Sequence, residues 1–111
     1  MSARDATYAR EQFSAAVRIL AESRGRIKER LLDAYRLQVI HAIPAQAGLS
    51  PGIRQRLTDL ERRMAGASPA DDDDKVTARI AAMSENEAVE IAREIVYLAW
   101  EITNEVAGLG A

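Results

Sequence analysis

Residues 84–108 read SENEAVEIAREIVYLAWEITNEVAG, a stretch with helical spacing throughout and more apolar surface than one small core should need. At about 100° per residue, Ala88, Ile91, Ala92, Ile95, Leu98, Ala99, Ile102 and Val106 fill an arc of roughly 120°, the usual stripe of a helix packed on a domain core. Val89, Val96 and Trp100 fall outside that stripe and widen the apolar arc to about 200°. A helix of this kind is either central in its bundle or packed on a second molecule as well. The expectation is a second molecule. Val89, Val96, Tyr97 and Trp100 are its candidate interface, because an aromatic anchor with aliphatic neighbours is the composition that hot spots favour. Ser84 and Glu87 form a capping box that starts this last helix.

Four more helices are expected before it. The first, over about 5–23, places Ala9, Phe13, Ala16, Val17 and Leu20 on one side, with Gly25 just past its end. The second, over about 26–43, carries Ile27, Leu31, Leu32, Ala34, Tyr35 and Val39, and Pro44 stops it by disfavouring helical backbone at Ile43. A loop over 44–49 follows. Ser50 as N-cap and Pro51 at the first helical position open a third helix, whose narrow seam is Ile53, Leu57, Leu60 and Met64. Gly, Ser, Pro and Asp over 66–74 predict a flexible connector, with the last aspartates opening a fourth helix on Val76, Ile80 and Met83. Residues 71–75, Asp-Asp-Asp-Asp-Lys, match the recognition string of enteropeptidase, but between two helical seams they read as a native solvated loop and helix start. The expected fold is all-α: one domain over 1–111, a compact bundle of four to five helices, the last one long and at a dimer interface.

Composition agrees with a helical bundle. Of 111 residues 48% are hydrophobic and only five are aromatic, which suits Ala/Leu/Ile packing better than a β-sandwich. A single small domain has a large surface for its volume, so a dimer interface adds useful burial. No cysteine is present, which excludes disulfides and thiolate metal sites and points to the cytoplasm. The first residues lack an apolar signal-peptide core, and no apolar run is long enough for a membrane span.

Charge is divided along the chain. Residues 1–65 hold 12 Lys/Arg against 7 Asp/Glu, whereas residues 66–111 hold 3 against 10. Arg24, Arg26, Lys28 and Arg30 surround the turn between the first two helices, and Arg54, Arg56, Arg62 and Arg63 lie on the third. The first four are a candidate phosphate-binding patch for nucleic acid, although no aromatic residue interleaves them for base stacking. The other reading pairs these cations with the acidic side of the last helix, where Glu87, Glu90, Glu94, Glu101 and Glu105 fall within about 60°. That side reads as a solvated acidic face rather than a di-metal site, since no Glu-x-x-His pair accompanies it.

Catalytic candidates are few. His41 is the one histidine, no G-x-S-x-G turn or cysteine nucleophile occurs, and neither phosphate-cradling glycine motif is present. Arg36 and His41, with Leu37, Gln38, Val39 and Ile40 between them, fit an R-x4-6-H pattern that resembles HEPN-domain ribonucleases. The resemblance implies a helical, often dimeric protein whose Arg and His serve attack by an RNA 2′-hydroxyl. On a regular helix the two residues lie about 140° apart, so convergence needs a dimer partner or a distorted turn. A plainer reading gives His41 the terminal carbonyls of the second helix. The expectation drawn from the residues is therefore a non-catalytic interaction or assembly module, partnered by itself, with another protein as a further candidate, and with no cofactor, metal or membrane. Nucleic-acid association through the basic patch and the HEPN-like ribonuclease are the alternatives.

Overall fold

In the computed structural model, which describes residues 3–65 and 73–110, every element is helical and no strand occurs among the described residues. Most of the expected connector, 66–72, lies outside the described residues. Helix α1 (Ala3–Glu22) buries Ala6, Ala9, Phe13, Ala16 and Leu20, alternating steps of three and four that keep one face inward. That face packs chiefly on the last helix. The chain reverses through Gly25, whose φ of 109° is a left-handed conformation that a side chain would oppose. A Cβ there would also stand 2.8 Å from Glu29 Oε1. That carboxylate accepts the Arg26 backbone N–H at 2.8 Å and opens helix α2 (Ile27–Ala34). Arg30 donates through Nη1 to the carbonyl of Leu20 at 2.7 Å, satisfying one of the orphan acceptors at the end of α1.

The second helical stretch departs from expectation. It does not stop at Pro44 but changes its winding: α2 passes into a π-helical turn (Tyr35–Val39), a short helix α3 (Ile40–Ala42) and a 3-10 segment (Ile43–Gly48). The Ile40 N–H reaches back to the Tyr35 carbonyl, the i to i+5 bond of a π turn. Ile43 keeps helical backbone at φ −59° and ψ −46° in spite of the proline that follows. Pro44 is tolerated because it occupies the first turn of the 3-10 segment, where a missing N–H costs no hydrogen bond. The expected loop over 44–49 is therefore mostly helical, and Ala45 joins the core.

Helix α4 (Pro51–Ala65) buries the expected Ile53, Leu57, Leu60 and Met64, and helix α5 (Asp73–Ala82) buries Val76 and Ile80, with Met83 just beyond. Ser84 accepts the Glu87 N–H on its hydroxyl at 3.0 Å and starts helix α6 (Glu85–Gly110). The reciprocal half of the expected capping box is replaced: the Glu87 carboxylate bonds Arg79 of α5. At 1.5 Å per residue α6 is about 39 Å long, close to the 42 Å longest dimension of the molecule. Among its described side chains the buried ones are Ala88, Ile91, Ala92, Ile95, Leu98, Ala99, Ile102 and Val106, the narrow stripe expected from the wheel.

Candidate functional site

The residues that widened the apolar arc of α6 face away from the core. Val89, Val96, Tyr97 and Trp100 are 36%, 46%, 59% and 64% exposed, whereas Ile95 and Leu98 beside them are fully buried. Val96, Tyr97 and Trp100 line a shallow apolar hollow at the middle of the helix. Trp100 also borders a more polar cleft toward the start of α4, lined in addition by Ser50, Arg56 and Asn104. Leu37 and Tyr8 are exposed as well, and helical spacing alone did not single them out.

Tyr97 is held from one side. The Arg56 guanidinium lies 5.4 Å from the centroid of its ring, within cation–π range. Arg56 is itself fixed by two parallel bonds to Glu94, Nε and Nη2 each at 3.0 Å, and by a third contact to Glu101. The hydrogen-bonded carboxylate of Glu94 raises the Arg56 pKa further above its ordinary value, with burial opposing and the charges of Glu94 and Glu101 assisting. Arg63 pairs with Glu90 at 3.5 Å, Arg79 with Glu87, and the Ser50 backbone N–H donates to Glu105 at 2.7 Å. Of the two readings of this side of the last helix, pairing with the cations of the expected third helix holds for Arg56 and Arg63, while Glu90 stays exposed to solvent as well. Each of the five carboxylates meets a donor from α4, α5 or the start of α4, because that side of α6 lies along those elements.

The basic turn divides. Arg24 and Arg26 are exposed, while Lys28 donates to the Ala81 carbonyl at 3.3 Å and Arg30 to Leu20, so two of the four candidate phosphate ligands serve helix ends instead. Pairing with the acidic helix is the work of Arg56 and Arg63, not of this turn.

Arg36 lies in the π turn and His41 in α3, both exposed. The widened turn brings residues five apart closer round the helix axis than a regular α-helix would. His41 stands in the last turn of α3, but helical winding continues beyond it to Gly48 as the 3-10 segment, so the helix end expected beside it is displaced. Inside the π turn, the Tyr35 hydroxyl is buried without a hydrogen-bond partner among the described residues, and burial, then the negative charge of Glu61, pushes its pKa well above the ordinary tyrosine value.

Among the described residues no group of three or more His, Asp or Glu side chains could hold a metal ion, and no helix is long and apolar enough to cross a membrane. Comparison with protein-family models, with curated proteins and with solved structures finds no match for this chain.

Proposed function

We propose that this chain is a non-catalytic assembly module that works as a homodimer through the outward face of α6. The observation that carries this reading is the exposure of Val89, Val96, Tyr97 and Trp100 on a helix that buries Ile91, Ile95, Leu98 and Ile102 on its other side. A cytoplasmic location goes with it, because a small chain without cysteine lacks the disulfides that secreted domains of this size use.

Energetics favour a modest affinity. Fully burying a large apolar side chain contributes about 1.5–3 kcal/mol, and Val89, Val96 and Trp100 start half-exposed, so two copies together recover on the order of 5–9 kcal/mol. Association itself costs about 4–15 kcal/mol, so these side chains alone leave at most about 5 kcal/mol, a dimer of roughly submillimolar affinity, and a tighter one draws on the rest of the outward face. The test is Trp100→Glu. Sedimentation should show dimer for the wild type and monomer for the variant, with the helical circular dichroism unchanged; a wild type that remains monomeric at high micromolar concentration rejects the reading.

One observation favours a second reading. The π turn distorts the helix between Arg36 and His41, the deformation that the HEPN-like pattern requires if one chain is to bring the two side chains together.

A further inference from the structure

Val89, Arg93, Val96, Trp100, Thr103 and Ala107 follow one another at alternating steps of four and three and are all exposed, so they form a heptad seam along the outward face of α6. The seam runs about 27 Å, from residue 89 to residue 107. Two identical seams can meet in parallel or antiparallel, and the one charge on this seam decides between them. Parallel pairing sets each residue against its own copy, which places Arg93 on the partner's Arg93 at the contact. Antiparallel pairing separates them by an amount that depends on register.

We propose, building on the homodimer reading above, that two copies of α6 pair antiparallel with Trp100 on the partner's Val96 and Val89 on the partner's Ala107. In this register Arg93 faces the polar Thr103 of the partner, and the two Arg93 side chains stand about 15 Å apart along the axis, beyond the ~8 Å screening length of physiological salt. Sliding by one heptad in one direction sets Arg93 against the partner's Val96 and leaves the two guanidinium groups only about 4.5 Å apart along the axis. Sliding the other way carries Val89 past Gly110, the last residue of the partner's α6.

A second observation selects the same register. Its two-fold axis crosses the seam at the level of residue 98 along α6, and the apolar hollow lined by Val96, Tyr97 and Trp100 lies at that same level. Each Trp100 then enters the hollow of the other copy, while Arg56 keeps the Tyr97 ring at its edge. Antiparallel helices also set the positive end of one macrodipole beside the negative end of the other.

The natural absence of cysteine makes the test direct. Val89→Cys and Ala107→Cys are each made in the full chain, at exposed positions whose replacement leaves the core intact, and are oxidised alone and as an equal mixture. Disulfides need Cα atoms about 4.4–6.8 Å apart, so the proposed register yields a dimer-mass product in the mixture and none from either variant alone. A product from Val89→Cys alone means parallel pairing and overturns the proposal. Dimer by sedimentation with no cross-link in the mixture overturns the register while the homodimer stands. Monomer by sedimentation overturns the homodimer reading and this arrangement with it.

Discussion

Helix α6 and the stretch from Ile27 to Gly48 are of similar length, yet they meet the core in opposite ways. α6 keeps one winding from end to end, so a buried stripe on one side leaves a second ordered stripe on the other. The earlier stretch changes from α to π to α to 3-10 and buries Leu31, Ala34, Tyr35, Val39, Ala42 and Ala45 along the way. Its outward side carries isolated features instead, Leu37, Arg36 and His41, with no repeat among them. A regular helix can serve two surfaces at once because both inherit its period. A helix whose winding changes can follow one surface only, and what it presents outward is local.

The largest expected effect tests whether the two stripes of α6 are separate. Ile95→Glu places a carboxylate in a fully buried site without a partner, a cost of several kcal/mol against a total stability of about 5–15 kcal/mol, and should abolish the helical circular dichroism. Trp100→Glu, little more than one turn away, should leave it intact. Equal damage from both would mean that the outward stripe is part of the fold.

The next effect belongs to the rewound stretch and is read from pH. The Tyr35 pKa is raised in the folded chain, so below pH 10 the phenol is protonated in both states and makes no difference. Above pH 10 the unfolded chain releases this proton and the folded chain holds it, so stability should fall by about 1.4 kcal/mol per pH unit from this group. Denaturant titrations between pH 9 and roughly 11 should show that added slope in the wild type and not in Tyr35→Phe. At neutral pH the phenylalanine variant should be as stable or about 1 kcal/mol more so, because the hydroxyl it lacks is buried unbonded. A loss of stability at neutral pH would mean that the hydroxyl has found a partner.

These two regions also differ in how far their residues declared them. The buried stripe of α6 could be read from spacing because a 100° wheel is valid where winding is regular, and the hydroxyl of Ser84 marked its start. The π turn carried no local signal, and Pro44 read as a stop because its missing N–H is a defect inside an α-helix but not in the first turn of a 3-10 segment. At the candidate site, exposure of Val89, Val96 and Trp100 followed from the excess width of the apolar arc, and Tyr97 beside them is exposed too. The clamp on Tyr97 did not follow, because the wheel groups five carboxylates without saying what lies across from them. Pairing of Arg56 and Arg63 with that acidic side was itself one of the two readings of the cations, and their spacing of seven residues supports it by placing both on one side of α4, but the stack of Arg56 on Tyr97 carried no signal.

A smaller effect sharpens the description of the flank of α6. Arg56→Met, made in the Trp100→Glu background so that assembly does not enter, removes the bonds to Glu94 and Glu101 and the stack on Tyr97 while keeping an apolar stem. The group is about a third exposed, so solvent screens it and the expected loss is about 1 kcal/mol, smaller again in 1 M salt. No loss at low salt would mean that Glu94 and Glu101 are held by packing of α4 on α6 and not by Arg56.

The smallest expected effect concerns the feature that the rewound stretch presents outward. His41 is exposed, is followed by continued winding to Gly48 and stands on a side that contributes nothing to the core, so His41→Asn should change stability by less than about 0.5 kcal/mol. Under the assembly reading, purified wild type incubated with RNA in the presence of a chelator leaves it uncut, and neither Arg36→Ala nor His41→Ala changes that result. The competing reading makes the opposite demand: the guanidinium stabilises phosphate charge and the imidazole moves a proton, so cleavage by the wild type must vanish in both variants. Were it to do so, the π turn would be the functional feature of this chain. The regular seam of α6 would then serve to bring two such turns into one molecule.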